Sequence, residues 1–281
     1  MLRSLYSGVS GMRGFQTKLD VIGNNIANVN TVGFKAGRVM FKDILSQTVA
    51  GVTPSVDGTK GGVNSKQIGL GVSISAIDTI HTPGSAMTTN VPTDLRLDGD
   101  GFFLVSDTPG TGEPFLTRAG NFSFDANNQL VTSDGMYVLS SDNAIIDLDN
   151  LGAGGPVTAY SISNSGEIIT VDSTGTTTSS GVFIGIGKVA NPSGLEKVGG
   201  NLYRQSPNSN DAGAPVSGAI LTANDPTNGT GAIVAGQLEM SNVDLTGEFT
   251  EMIVAQRAFQ ANSRIITTSD QILQEVVNLK Q

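Results

Sequence analysis

The side chains suited to chemistry are few and scattered along the chain. The single histidine stands in the turn sequence His81-Thr82-Pro83-Gly84, so one chain can assemble neither a cluster of nitrogen ligands nor a His-dependent triad. A solvated loop histidine is expected there. Asp98-Gly99-Asp100-Gly101 opens like a calcium loop, but Phe102 occupies the place of the third oxygen ligand and no Glu follows at the twelfth. A tight turn is expected instead. Asp142, Asp147 and Asp149 lie in a polar, turn-rich segment without the apolar neighbours that would raise a carboxylate pKa. Gly185-Ile186-Gly187 lacks the third glycine of a dinucleotide fingerprint, and no G-x-S-x-G elbow, P-loop or H-E-x-x-H occurs. The absence of cysteine excludes a disulfide framework, a thiolate metal site and a Cys nucleophile. Nothing argues for an enzyme, and no catalytic, cofactor-binding or metal-ligating residue is expected.

With no reaction centre to position, what matters is what the elements can build. The 281 residues suffice for one large or two modest domains with a substantial core. There are 16 Lys plus Arg against 25 Asp plus Glu, so no general positive field exists for a phosphate backbone, and nucleic acid is not an expected partner. The first fifty residues carry six basic and two acidic side chains, whereas residues 239 to 281 carry three and six. Exposed pairs contribute only about 0 to 1 kcal/mol, so this polarity reads first as ordinary solvated helix faces. The start, Met1 to Phe15, lacks the apolar stretch of a secretory signal, and no run of roughly 18 apolar residues occurs. No direct membrane insertion is expected.

Apolar residues at Leu5, Met12, Leu19 and Ile26, with a second track at Phe15, Ile22 and Val29, alternate in steps of three and four. They predict a helix with a continuous apolar seam. At the other end Leu245, Met252, Phe259, Ile266 and Leu273 recur every seven residues beside Ile265, Ile272 and Leu279, predicting a second heptad helix that starts near Asp244. Gly8, Gly11, Gly14 and Gly23 each cost the first helix up to about 1 kcal/mol against Ala, so it should be ordered only with a partner.

Between the ends Gly, Ser, Thr, Asn and Asp dominate, and short apolar runs alternate with turn signals. Strands are expected over 101–105, 122–124, 129–131, 137–139, 145–148, 168–171 and 182–189. Turns are expected at 125–128, 134–135, 165–166 and 173–175, with a looser loop at 109–110. The fold class is therefore α+β: an antiparallel, barrel- or sandwich-like β-rich domain with terminal helices forming a coiled-coil layer. The expected division is 1–30 plus 243–281 as the helical coiled-coil domain, 31–75 as an extended connector and 76–242 as the β-rich domain.

Several long motifs carry a resemblance. Asp20-Val21-Ile22-Gly23-Asn24-Asn25-Ile26-Ala27-Asn28-Val29-Asn30-Thr31-Val32-Gly33-Phe34-Lys35 is similar to the N-terminal signature of the bacterial flagellar basal-body rod and hook proteins. Ser241 to Leu245, continuing through Met252 to Ser263, resembles the closing motif of that family, and Asp98 to Phe103 with Thr117 to Phe122 resembles its β-domain. Within the family, Asn242 to Leu245 and Asp270 to Leu279 look more like hook proteins, in a short form without the large outer domain; the distal rod is the nearest competitor. A secreted β-domain adhesin with helical tails is a third reading, of another class.

The resemblance implies a structural subunit that polymerises into a hollow helical tube, flexible if a hook, coupling rod to filament. It implies an inner coiled-coil layer and an outer β tube, and export without a cleaved signal through the flagellar type III apparatus to an extracellular hook. Implied partners are further copies of the chain, the hook cap, the distal rod and the hook–filament junction proteins. The family-motif residues are Asn24, Asn25, Asn28, Thr31, Gly33 and Phe34. Phe41 and Leu45 resemble the family's export-gate element, with a buried apolar pair in the connector as the alternative. The polymer interface is expected along Leu5, Met12, Phe15, Leu19, Ile22 and Ile26 and along Leu245, Met252, Phe259, Ile266, Leu273 and Leu279.

Overall fold

A computed structural model describes residues 2–54, 61–108, 113–151, 157–172, 175–210 and 220–279. The chain divides into two compact units, one of residues 1–27, 37–79 and 244–281, the other of residues 28–36 and 80–243. The fold is α+β with antiparallel sheets, and among the described residues no sheet closes into a barrel.

The first unit is built on two long helices, Leu2–Ala27 and Leu245–Asn278. Asp244 caps the second by accepting a 3.0 Å hydrogen bond from the Thr246 amide, which satisfies one of its orphan donors. The helices run antiparallel, since Gly8 faces Ile266 while Lys18 pairs with Glu251 and Asn25 with Glu248. Helix glycines supply closeness here as well as cost. A Cβ on Gly11 would lie 2.8 Å from the Asn262 amide nitrogen, and one on Gly14 would lie 2.8 Å from the Phe41 ring. The entropy penalty is offset in part by close packing, since a larger residue at either position would make the Asn262 or Phe41 side chain shift.

Where an extended connector is expected over 31–75, the chain forms ladders. Gly37–Asp43 pairs antiparallel with Val72–Thr79 across an irregularity between Met40 and Phe41, and Ser46–Ala50 pairs with Lys66–Gly69. The second pair escapes a periodicity reading because it is exposed at every position, so no alternation of buried and solvated residues marks it.

In the second unit the central strand, Phe102–Ser106, is buried at all five positions, which is why its sequence runs apolar without alternation. It pairs with Phe115–Thr117 on one side and with Tyr137–Val138 and Ile186–Gly187 on the other. Phe103, Leu95, Leu130, Ile146, Ile184 and Ile233 meet in the main core beneath it. A smaller cluster of Phe102, Leu104, Leu116, Leu139, Val189 and Tyr203 fills the opposite face. Each such side chain contributes about 1.5 to 3 kcal/mol on burial.

A three-stranded meander, Val157–Ile162, Glu167–Asp172 and Thr177–Phe183, accompanies this sheet. The run expected as one strand over 182–189 is broken: Thr177–Phe183 ends before Gly185, whose amide donates to the Leu139 carbonyl, and a new strand begins at Ile186. The segment expected as a strand over 145–148 forms only isolated bridges at Ile145 and Asp147 before the one-turn helix Leu148–Leu151. The expected loop at 109–110 and most of the expected turn at 173–175 lie outside the described residues.

Candidate functional site: a helix pair and a buried ionic clasp

In the helical unit, Ile22 is buried, and Leu5, Met12, Phe15, Leu19, Ile26, Met252, Ile266 and Leu273 are half-buried. The structure thus brings most of the expected seam together within one chain. Leu245, Phe259 and Leu279 remain exposed, the last at 86%. The contact face of the C-terminal helix is completed by residues that an apolar reading passes over: Ala255 and Ser269 are buried, and Asn262 packs beneath Gly11. A second stripe points outward, with Val254, Ile265, Ile272, Val276 and Leu279 all exposed. Isolated exposed apolar residues are ordinary, but these five, spaced 11, 7, 4 and 3 residues apart, fall on one face of the helix, which is the pattern of a helix with a further partner.

The Asn24-Asn25 pair of the signature is used unequally. Asn24 is exposed, while Asn25 is buried and fully engaged. The Asn25 amide donates to the Gly37 carbonyl at 2.9 Å and to Glu248 Oε1 at 2.9 Å, and its carbonyl accepts from the Gly37 amide at 3.0 Å. Burial comes first among the causes that hold the Glu248 carboxyl above its ordinary pKa, and the Asn25 hydrogen bond opposes it. Phe41 stacks on Phe15 with centroids 5.6 Å apart, whereas Leu45 is 65% exposed, so the two residues of the suggested export element do not form a buried pair.

The rest of the signature lies in the β unit, where it is clasped. Thr31 donates to Asn28 through both its amide and its hydroxyl, at 3.1 Å each, turning the chain. The Gly33 amide donates to the Glu239 carbonyl at 2.8 Å. Gly33 has φ +69°, and a Cβ there would fall 2.5 Å from the Ala119 nitrogen, so only glycine fits. The Val32 carbonyl accepts from Asn201 at 2.8 Å, and the Ala36 amide donates to Asn242 at 2.8 Å. Phe34 is buried beneath the Lys197 ammonium, which lies 5.2 Å from its ring and donates to the Lys35 carbonyl.

At the centre are three buried charges. Lys35 Nζ donates to Glu239 Oε1 at 2.6 Å and to the Thr82 carbonyl at 2.8 Å, with both charged side chains 1% exposed. Arg118 reaches the other Glu239 oxygen at a longer 3.4 Å, and the Gly84 amide donates to Oε1. Burial pulls the pKa of both cations below the ordinary range, while the Glu239 carboxylate opposes it. Lys35 and Arg118 sit inside the quoted motifs, yet Glu239 is no part of them. Its signal is a lone carboxylate in the apolar run Leu238-Glu239-Met240, since a buried charge needs a partner.

His81 also departs from expectation, being packed rather than solvated. Its ring lies 5.7 Å from Phe102 and 5.6 Å from Tyr203, and it donates to the Pro192 carbonyl. Burial, reinforced by the charges of Lys35, Lys197 and Arg118, pushes its pKa down to about 4. Asp98 ends the strand Leu95–Asp98 and the chain bends at Gly99 and Asp100, and among the described residues no group of His, Asp or Glu is placed to hold a metal ion. Nor is any described helix long and apolar enough to cross a membrane.

Comparison with known proteins matches three family descriptions to this chain: "Flagella basal body rod protein" over residues 5–35, "Flagellar hook protein FlgE/F/G D1 domain" over 96–178 and "Flagellar basal body rod FlgEFG protein C-terminal" over 234–279. The flagellar basal-body rod protein FlgG of Bacillus subtilis is 55% identical over 282 aligned positions, covering all of both chains. In Borreliella burgdorferi the rod protein FlgG is 36% identical over 284 positions, and the hook protein FlgE 29% over 453, each covering all of both chains.

Proposed function

The chain belongs to the family of flagellar basal-body rod and hook proteins, structural components and not enzymes, and from that premise we propose that it is the subunit of the distal rod. The carrying observation is end-to-end correspondence with rod proteins: the Bacillus subtilis alignment spans 282 positions against 281 residues here, whereas the hook alignment must stretch to 453. The preference for a short-form hook, drawn from the C-terminal motif, gives way to this reading.

In this proposal the helices of residues 1–30 and 243–281 form the inner layer of a hollow polymer and the β-rich residues 76–242 its outer wall. The exposed stripe of Val254, Ile265, Ile272, Val276 and Leu279 is buried against neighbouring copies, which supply the partner that the single chain lacks. Subunits reach the growing tip through the flagellar type III apparatus without cleavage, with Phe41 and Leu45 as the export element. The hook and its cap and junction proteins are then neighbours along the same axis.

The test is localisation. A strain carrying a tagged copy, viewed by cryo-electron tomography, should show label on the straight segment inside the envelope, and a deletion strain should lack that segment. Label along a curved external hook, with a complete rod in the deletion strain, would overturn the assignment in favour of the hook.

A further inference from the structure

Within the helical unit a groove of about 440 Å³ opens between the N-terminal helix and the ladder that follows it. Tyr6, Val9 and Arg13, three and four residues apart and so on one face of the helix, line one wall, and Ile44, Val72 and Ile74 line the other. The groove is mostly apolar, and the single chain leaves it open, with Tyr6 73% and Ile44 50% exposed. Its one charged lining residue is the exposed Arg13, which no ion pair engages among the described residues. The outward stripe of the C-terminal helix has a matching form. Ile272, Val276 and Leu279 stand at i, i+4 and i+7, the spacing with which an amphipathic helix lies in an apolar groove. Glu275, exposed beside them, is likewise in no ion pair among the described residues.

We propose that the groove of one copy receives residues 272–279 of another, with Glu275 paired to Arg13; the inference rests on the reading that the stripe is buried between copies. Three observations choose this occupant. The chain's own C-terminal segment cannot enter the groove, because the helices run antiparallel with Gly8 facing Ile266. Val276 therefore lies ten residues, about 15 Å of helix, beyond that level and away from Val9 and Arg13. The charges are complementary: the segment is negative through Glu275 and through the carbonyl end of the helix, and the groove offers a cation without a counter-charge. Finally, groove and stripe are different surfaces of the same chain, so each contact leaves one of each free. Such a heterologous contact repeats without closing, as an open tube requires.

The chain has no cysteine, so an engineered pair reports on this contact without background from the subunit itself. Val9→Cys and Val276→Cys are introduced together into the full-length protein as the strain's only copy, and isolated basal bodies are oxidised with copper phenanthroline. The expected result is a ladder of covalent multimers, with the disulfide mapped by mass spectrometry between positions 9 and 276, and no ladder from either single variant. A link within one chain is excluded by the 15 Å offset, since a disulfide needs Cα atoms within about 7 Å. Assembled basal bodies that yield no ladder would overturn the proposal, as would dimers from Val276→Cys alone, which would mean that stripe meets stripe. Should the cysteine variant not assemble, a charge exchange decides. Arg13→Glu should lower the subunit recovered in basal bodies about tenfold, and adding Glu275→Arg should restore it; no loss, or no rescue, would overturn the proposal. The stripe reading fails separately, if Ile272→Ser with Val276→Ser leaves assembly intact.

Discussion

The β unit and the helical unit treat groups that need a partner in opposite ways. Around residues 28–36 the β unit engages its charges: Glu239 is met by Lys35, Arg118 and an amide, and Lys35 also reaches a backbone carbonyl. The helical unit satisfies one face and leaves another bare, with Ile272 and Val276 about half exposed. A region whose needs are met internally specifies its own conformation. One whose needs are half met specifies an association. The contrast also separates what each kind of substitution should do: clasp variants should act on stability, stripe variants on assembly.

The largest expected effect is Glu239→Ala, which leaves two buried cations without their counter-charge. Unfolding in urea should show a loss of about 3 to 5 kcal/mol, while a double replacement of Lys35 and Glu239 by methionine and leucine should recover part of it. A loss below 1 kcal/mol would mean that water already screens the cluster. Gly33→Ala comes next: its φ of +69° and the 2.5 Å approach to Ala119 should cost about 1 to 3 kcal/mol, read as a lowered melting midpoint.

Acid should weaken the β unit through His81. Its native pKa, near 4, lies below the ordinary 6.5, so the unfolded chain binds the extra proton first. The contribution is fully present above pH 6.5, declines as pH falls from 6.5 towards 4 and changes no further below that. His81→Gln should flatten this stretch of the stability–pH curve, and an unchanged slope would place the acid sensitivity elsewhere.

The smallest effect on stability belongs to Ile272→Ser with Val276→Ser. These exposed positions should change the unfolding free energy of the monomer by no more than about 0.5 kcal/mol each. Polymer formation, followed by sedimentation and electron microscopy, should be lost. A destabilised monomer, or one that still polymerised, would break the contrast between the two units.

Both long helices and their seams were legible because a heptad repeat is a local signal, and the onset at Asp244 followed from its capping chemistry. The C-terminal helix's contact face was less so, because Ala255, Asn262 and Ser269 fit by being small or by hydrogen bonding, not by being apolar. The clasp was illegible for another reason. Lys35 and Glu239 are 204 residues apart, and no spacing rule links a lone lysine after a phenylalanine to a lone glutamate between leucine and methionine. His81 was misread because a Pro-Gly turn beside it indicated a loop, while the two rings that enclose it come from distant strands. The ladder of 46–50 with 66–69 lacked the burial contrast that makes strands visible in a sequence.

The unequal helices have one more consequence. With 26 residues against 34, and with Gly8 already opposite Ile266, the N-terminal helix is spent before its partner ends. About 8 Å of the C-terminal helix beyond Leu273, carrying Val276, Val277 and Leu279, projects past it at 1.5 Å per residue. In the proposed polymer such an end, like the overhang of a cut duplex, would have a direction, and it would give each copy a distinguishable head and tail before any second copy arrived.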